Sequence, residues 1–280
     1  MVKAFCFPAY CGGIQMFLPI AHKYGGFRTL LRCIFCPQTF NEKIQRLKIF
    51  GRDPRFPQRA DKILVKDFVR DRLDSDWVTP TLWHGEFLPP LGQRTWSIPF
   101  VIKANNGSGW NIFVRQKSDL DWPRIESLIA EWHRNPYGAD MGEWHYGEIK
   151  PALLVEPFIG EGMTLPRDYK LWTFSGKVKF IEVVTDQEHQ HKCTMFDPEW
   201  HRLPFSCIFP SDPRIIAKPL SLNRMIGAAE VLAEDFPFVR IDLYEVGSRP
   251  RFGEITFYPA SGYAAFIPPE WDIEIGKLWR

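Results

Sequence analysis

The stretch "FVRIDLYEVGSRPRFGEITFYP" (residues 238–259) predicts an antiparallel β-hairpin, and the interpretation of the whole chain begins from it. Apolar residues alternate along its first half with Arg240 and Asp242, so these two side chains share one face of the strand. Glu254 points to one face of the second strand in the same way. A turn centred on Ser248 would place Asp242 directly opposite Glu254, since both positions are equidistant from it.

This predicted pair of carboxylates needs a compensating charge. Carboxylates that face each other across a ladder repel, and a divalent cation with oxygen ligands removes that repulsion. Mg²⁺ in proteins commonly takes one or two carboxylates together with substrate phosphates. The alternative is that one carboxylate pairs with Arg240 or Arg251 and that no metal binds.

A second stretch, "VIKANNGSGWNIFV" (residues 101–114), predicts a strand, a glycine-rich loop and another strand. Because Lys103 precedes the glycines and a strand follows them, this is neither a Walker A loop nor a Rossmann turn. Gly107, Ser108 and Gly109 lack bulk, so their backbone N–H groups could turn towards an anion. A plain turn with an exposed lysine is the alternative. Combined with the hairpin, the loop predicts a nucleoside triphosphate site with Arg240 facing the developing charge.

The rest of the chain predicts a mixed α+β fold. An amphipathic pattern predicts a helix over residues 39–50, with Thr39 or Asn41 as its N-cap; its apolar residues are Ile44, Leu47, Ile49 and Phe50. A second pattern predicts a helix over residues 60–73, and its inward-pointing residues are Ile63, Leu64, Phe68 and Leu73. Further helices are predicted near residues 119–135 and 222–236. Strands are predicted near residues 78–86 and 151–157. Another hairpin is predicted over residues 168–186, with its turn at Ser175-Gly176. Helices interspersed with antiparallel hairpins are typical of α+β proteins.

Composition narrows the range of functions. The 280 residues include 35 Lys and Arg against 33 Asp and Glu, a net charge of +2. Nucleic-acid-binding proteins usually carry a stronger basic bias, so no nucleic-acid partner is predicted. No apolar stretch is long enough for a transmembrane segment, and the first residues do not have the order of a signal peptide. We expect a cytoplasmic protein, at most peripheral to the inner face of the membrane through a polysaccharide-assembly complex.

Three weaker patterns have ordinary explanations. Cys33 and Cys36 form a C-x-x-C pair, but their distance from Cys6 and Cys11 fits a zinc ribbon poorly, so reduced thiols are predicted. The "HQH" of residues 189–191 lacks a third ligand and is interpreted as a polar loop. The "DLD" of residues 119–121 has the D-x-D pattern of a glycosyltransferase, but its position before a helix favours capping.

The ordered series "ADK" (60–62), "VIKANNGSG" (101–109), "LLVEPFI" (153–159), "DYK" (168–170), "VRID" (239–242) and "GEIT" (253–256) resembles the ATP-grasp fold. More narrowly, "TFNEK", "DYKLWTFSGK", "HK…FD" and "FPFVRIDLY…FGEITFYP" resemble the teichuronopeptide-biosynthesis (TupA-like) branch. The resemblance covers residues 38 to 280. It implies two α+β subdomains that clasp ATP, over residues 61–158 and 159–280, after a short helical region at residues 1–60.

The resemblance also implies roles for individual residues. Lys62 and Lys103 would hold ATP phosphates beneath a flap formed by Gly107, Ser108 and Gly109. The nucleotide would further meet Glu156, Ile159, Asp168 and Lys170. The catalytic residues implied are Arg240, Lys192 and His191. Asp242, Glu254 and Thr256 would carry Mg²⁺ or Mn²⁺, although a threonine hydroxyl is a poorer ligand than the asparagine that many ATP-grasp ligases have there.

The activity implied by the resemblance is ligation. A carboxylate would take the γ-phosphate of ATP to form an acyl phosphate, and an amine would displace the phosphate to give an amide. The family implies work on cell-surface polysaccharide, with an amino acid or other amine and a uronic-acid or glycan carboxylate as substrates. The alternatives are a glycosyltransferase, an ATP-grasp phosphotransferase and a non-catalytic scaffold.

Overall fold

A computed structural model describes residues 27–135, 137–160, 162–185 and 190–279. The helices in these ranges are α1 (Phe27–Phe35), α2 (Phe40–Phe50), α3 (Arg55–Ala60), α4 (Val65–Arg72), α5 (Trp122–Arg134), α6 (Trp144–Gly147), α7 (Leu222–Ala233) and α8 (Trp271–Leu278). The strands are β1 (Trp83–Gly85), β2 (Phe100–Ala104), β3 (Asn111–Val114), β4 (Leu153–Pro157), β5 (Asp168–Phe174), β6 (Lys177–Thr185), β7 (Lys192–Phe196), β8 (Ser206–Cys207), β9 (Phe238–Val246), β10 (Arg249–Thr256) and β11 (Phe266–Ile267).

The longer strands form two antiparallel sheets. The smaller sheet has the order β1-β4-β2-β3, and the larger has the order β10-β9-β5-β6-β7. β8 and β11 pair with each other. The predicted hairpin of β5 and β6 is confirmed, with its turn at Ser175 and Gly176 in the left-handed region of φ. Two antiparallel sheets with interspersed helices confirm the α+β class. No helix in the described residues is long and apolar enough to cross a bilayer.

Each sheet has its own apolar core. The smaller sheet shares a cluster of buried side chains with α5, which contributes Ile125 and Ile129. Asp121 accepts a hydrogen bond from the Arg124 N–H at 3.1 Å and is the N-cap of α5. Asp119 accepts backbone hydrogen bonds from Arg115 and Gln116 in the turn before it. The capping interpretation of "DLD" is therefore confirmed, and the pattern gives no support to a glycosyltransferase.

The larger sheet packs against α7 through β5, β6 and β9 and also against the N-terminal helices. The Phe40 ring of α2 lies 5.1 Å from Trp172 and 4.9 Å from Phe238. Thr39 is the N-cap of α2 and forms a capping box with Glu42. The predicted helix and one of its two candidate caps are confirmed. The N-terminal helices thus share the core of the larger sheet.

Two helices bury residues other than those that their apolar patterns indicate. In α2 the chain buries polar Asn41, Gln45 and Lys48, whereas Phe50 is 53% exposed. The reason is tertiary, because these polar groups hydrogen-bond to backbone carbonyls of the C-terminal part of the chain.

The inward face predicted for residues 60–73 is partly wrong in α4. The chain buries Val65 and Val69 and leaves Leu64 52% exposed. The Asp61 carboxylate accepts hydrogen bonds from the N–H groups of Ile63 and Leu64, so the regular helix begins only at Val65 and its phase shifts.

Gly276 tests the contact between α8 and the start of α2. A Cβ at this position would lie 2.2 Å from the carbonyl oxygen of Gln38 and 2.9 Å from the backbone nitrogen of Phe40. Since neither backbone atom can move without shifting the helix, Gly276→Ala should lower the free energy of unfolding by about 1–3 kcal/mol. Urea denaturation measures the change.

The matched control is Gly227→Ala in α7, where an added Cβ meets no atom within 4 Å. Removing a glycine from an open helix position should raise the free energy of unfolding by about 0.5–1 kcal/mol. Equal effects of the two substitutions would contradict the close approach of α8 to α2.

Candidate active site

A cleft of about 210 Å³ separates the two sheets, and most of the predicted site residues line it. The smaller sheet and its flap contribute Lys103, Ser108, Gly109 and Glu156, the turn before α4 contributes Lys62, and Ile159 follows from the segment after β4. The larger sheet contributes Asp168, Lys170, Asp242 and Glu254. Residues that the sequence scatters over nearly 200 positions therefore face one cavity.

The hairpin of β9 and β10 sets the register of the two carboxylates. Asp242 pairs with Glu254, as predicted, but the turn and the pairing of the residues between them differ from the prediction. The turn residues are Gly247 and Ser248, with φ values of 55° and 61°, and a bulge at Gly253 shifts the pairing by one residue. A Cβ on Gly253 would lie 2.9 Å from the Asp242 carbonyl oxygen, so the bulge requires glycine.

Asp242 lies between two cations. Arg240 donates from Nε at 2.7 Å and from Nη2 at 2.6 Å, and the Lys170 Nζ lies 3.0 Å from the carboxylate. Burial acts to raise the pKa of Asp242, but Arg240 and Lys170 outweigh it and hold this pKa below its ordinary value. The carboxylate is thus ionised, and its pairing with Arg240 matches one of the two arrangements considered from sequence.

Asp168 shares Lys170 with Asp242, at 2.5 Å from the Lys170 Nζ. Burial, together with the nearby Asp242 charge, raises the pKa of Asp168 to about 6 despite Lys170. Its Oδ1 is buried and has no hydrogen-bond partner among the described residues. A buried acceptor that lines a cleft without a partner is suited to a ligand hydroxyl.

Glu254 is the least constrained carboxylate of the cleft. Its contacts are Lys62 at 3.8 Å and the Thr256 hydroxyl at 3.4 Å, and Thr256 also lies 3.3 Å from Arg240. The described residues contain no group of three or more His, Cys, Asp or Glu side chains able to enclose a metal. Two adjacent carboxylates beside an open cleft do fit Mg²⁺, because Mg²⁺ completes its shell with phosphates and water.

Lys62 lies beneath the glycine-rich loop. Its Nζ donates to the Gly107 carbonyl, and its backbone N–H donates to the Asn105 carbonyl at 3.1 Å. The Asn105 amide in turn donates to the Asp61 carboxylate at 2.8 Å. Asp61 and Asn105, which sequence reasoning did not single out, thus join the turn that carries Lys62 to the base of the loop. Burial lowers the pKa of Lys62.

Aromatic side chains hold the loop from behind. A Cβ on Gly107 would lie 3.2 Å from both Trp110 and Tyr137, and Ser108 is hydrogen-bonded to Tyr137. Gly109 has a φ of 75°, which favours glycine. The loop therefore packs tightly at its first glycine and depends on its second for backbone conformation.

Two predicted catalytic residues lie elsewhere. His191 is exposed beside Phe209, and Lys192 begins β7, the edge strand of the larger sheet, opposite Thr185. Neither contributes to the described lining of the cleft, so their catalytic roles stay predictions. Their position shortly before Phe196 and Asp197 in the sequence did not indicate how far their side chains lie from the cleft. Cys33 is buried and Cys36 is exposed, while Cys6, Cys11 and His189 lie outside the described residues.

A family model shows which protein class this fold and cleft define. Residues 42–280 match the model of the ATP-grasp class described as "TupA-like ATPgrasp". The match covers most of the chain, so the protein belongs to the TupA-like ATP-grasp family. A search of curated protein sequences found no match.

Solved structures of the ATP-grasp type are similar to the chain at low identity. They include D-alanine–D-alanine ligase from Bacillus anthracis (14% identity, TM-score 0.46, covering 86% of this chain and 67% of that one). L-amino acid ligase from Bacillus licheniformis is 14% identical, with a TM-score of 0.47, over 84% of this chain and 55% of that one. N5-carboxyaminoimidazole ribonucleotide synthetase in complex with ADP is 12% identical, with a TM-score of 0.44, over 71% of this chain and 45% of that one. The chain spans about half the length of several of these proteins.

The buried carboxyl group of Glu143, near Ser261 and Lys48, provides a pH test of the structure. Burial raises its pKa to about 7, although Ser261 and Lys48 act to lower it. Between about pH 4.5 and pH 7 the folded protein therefore retains a proton that the unfolded chain loses. The free energy of unfolding should fall by up to about 3 kcal/mol as the pH rises through this window.

Glu143→Gln should remove that contribution, so the variant should gain stability relative to the wild type between pH 4.5 and pH 8. Thermal or urea unfolding at both pH values measures the gain. The exposed Glu274→Gln, whose carboxylate pairs with Lys277 on the surface, is the control and should run parallel to the wild type. A parallel profile for Glu143→Gln would contradict the raised pKa.

Proposed function

We propose that the protein is an ATP-dependent carboxylate–amine ligase that works through an acyl phosphate. The observation that carries the proposal is the cleft itself, in which Lys103 of the smaller sheet and Lys62 of the turn before α4 line the same cavity as Asp242 and Glu254 of the larger sheet. Cations on one side and carboxylates on the other suit a polyphosphate with its counter-cation. Family membership supports ATP as that polyphosphate.

The proposed roles follow from position. Lys62, Lys103 and Lys170 would bind the phosphates, and the loop of Gly107, Ser108 and Gly109 would cover them and exclude water. Glu156 of β4, beside Lys103, and Ile159, just after this strand, also line the cleft and would meet the nucleobase. Asp168 would accept a hydrogen bond from a ribose hydroxyl through its unpartnered Oδ1. Each role is thus proposed from the position of the side chain in the cleft.

Asp242 and Glu254 would hold Mg²⁺, with Thr256 as a neighbour of both Glu254 and Arg240. The ion would supply charge neutralisation to the transferring phosphoryl group. To bind it, Asp242 would have to share its carboxylate with Arg240, or release it to point at the phosphoryl oxygens. Arg240 would serve the second outcome, because its guanidinium lies between Thr256 and Asp242, the carboxylate that lines the cleft.

The proposed reaction has two steps. A substrate carboxylate oxygen attacks the γ-phosphorus, the bond from phosphorus to the β,γ-bridging oxygen breaks, and ADP leaves with the electron pair. An amine then attacks the acyl carbon, the carbon–oxygen bond to phosphate breaks, and the amine proton passes to solvent. Arg240 would stabilise the oxyanion formed in the second step. No covalent enzyme nucleophile is required.

We further propose, from family membership, that the substrates belong to cell-surface polysaccharide biosynthesis, with an amino acid or other amine joined to a uronic-acid carboxylate. ADP release measured over a matrix of amino acids and uronic acids tests this. A ligase should release ADP and free phosphate in equal amounts and only with both substrates. ADP without free phosphate would instead indicate a phosphotransferase.

The substitution Glu254→Gln tests the metal assignment without disturbing the fold, since the polar contacts of Glu254 with the described residues are two and both are long. We expect Mg-ATP-dependent ADP formation to fall on the order of 100-fold, equivalent to about 2.7 kcal/mol. Isothermal titration calorimetry with Mg-ATP and an ADP-release assay measure the loss.

Glu230→Gln is the matched control, because its carboxylate pairs with exposed Lys177 at 2.7 Å, away from the cleft. It should bind Mg-ATP as the wild type does. Wild-type behaviour of Glu254→Gln would show that the metal lies elsewhere.

A further inference from the structure

Lys66 is a buried lysine in the cleft that the proposed reaction does not use. It belongs to α4, is 6% exposed and lines the cavity next to Glu156. Its Nζ donates to the Thr79 carbonyl at 2.9 Å, to the Thr81 hydroxyl at 2.6 Å and to the Glu156 carboxylate. An ammonium group has three N–H donors, so none is left for a ligand.

Lys103 differs from Lys66 in both exposure and contacts. Its side chain is 25% exposed, and its partner among the described residues is the Glu156 carboxylate at 2.6 Å. Lys103 therefore keeps donors for a ligand but is held against Glu156 in the absence of one. To reach a phosphate it must turn away from this carboxylate.

Glu156 lies between the two lysines in the middle of the smaller sheet. It is 4% exposed; Oε1 faces Lys66 and Oε2 faces Lys103. Burial acts to raise the pKa of Glu156, but Lys103 and Lys66 outweigh it and keep the carboxylate ionised. A buried carboxylate with one partner removed is strongly disfavoured, unless another cation remains in contact with it.

We propose that Lys66 is a positioning residue that frees Lys103 for the nucleotide phosphates by remaining bound to Glu156. With Lys66 in place, Lys103 can leave Glu156 without exposing an uncompensated buried charge. Without Lys66, Lys103 is the one remaining partner of Glu156 on this side of the sheet, and phosphate binding must break that pair. This inference rests on the proposed binding of ATP.

A double-mutant cycle between Lys66 and Glu156 tests the proposal. We expect Lys66→Gln to weaken Mg-ATP binding at least about tenfold, because Lys103 stays held by Glu156. In the Glu156→Gln background the carboxylate is gone, so adding Lys66→Gln should change the affinity less than about twofold. Isothermal titration calorimetry measures all four proteins. Equal losses in the two backgrounds would overturn the proposal.

Adenosine separates this role from a purely structural one. It has no phosphate for Lys103 to reach, so Lys66→Gln should leave adenosine binding within about threefold of the wild type while Mg-ATP binding falls. A structural defect in the cleft would weaken both ligands alike and would contradict the inference. Lys66→Arg keeps the charge and should keep most of the Mg-ATP affinity.

The surface substitution Lys177→Gln is the control for loss of a lysine, since Lys177 is 67% exposed and pairs with Glu230. It should bind Mg-ATP as the wild type does. If Lys66→Gln alone fails to fold, the double variant Lys66→Gln/Glu156→Gln is compared with Glu156→Gln. Equal affinities of these two proteins for Mg-ATP support the proposal, and weaker binding by the double variant contradicts it. Wild-type protein that does not bind Mg-ATP would overturn the proposed function, whereas wild-type binding with equal losses would overturn only the role of Lys66.

Discussion

The organisation of the cleft depends on the pairing of buried charges. Its lining carries four lysines, Lys62, Lys66, Lys103 and Lys170, and four carboxylates, Glu156, Asp168, Asp242 and Glu254. Isolated charges are strongly disfavoured away from water, so each cation lies beside a carboxylate. A bound polyphosphate and its cation would offer new partners, with phosphates for Lys62, Lys103 and Lys170 and metal for Asp242 and Glu254, while Lys66 stays on Glu156. Ligand binding in such a site is an exchange of partners between charges that are already paired.

The need to pair buried polar groups also explains why α2 buries a polar face. Gln45 and Lys48 of α2 donate to the backbone carbonyls of Ser261, which lies with Ala260 and Gly262 in a turn of three residues with positive φ. This turn follows β10 and its carboxylate Glu254. Side-chain donors from α2 thus offset the cost of a conformation that Ala and Ser rarely adopt.

Sequence predicted the parts of the site that strand alternation determines. The facing of Asp242 and Glu254 was correct even though the assumed turn was off by half a residue, because the bulge at Gly253 compensates for it. Contacts made across long sequence distances were not predictable in this way. The polar face of α2 has no apolar period, and Lys66 looks like an ordinary charged position on an amphipathic helix. The positions of His191 and Lys192 were likewise not predictable, since a polar pattern beside a strand does not reveal which strand lies at the edge of the sheet.

The size of the cleft bears on how a nucleotide could reach it. Ligand cavities for molecules of this size usually exceed about 300 Å³, whereas this one encloses about 210 Å³. The two sides must therefore move apart, or the loop of residues 107–109 must lift, before a nucleotide can occupy the cleft. The Lys62–Glu254 contact that joins the two sides is 3.8 Å long, which is weak for an ion pair. Tyr137 restrains the loop more directly, through its hydrogen bond to Ser108 and its packing on Gly107. Lifting the loop would also break the hydrogen bond from the Lys62 Nζ to the Gly107 carbonyl, whereas separation of the two sides at Lys62 breaks the long contact with Glu254, so this contact is the weaker restraint.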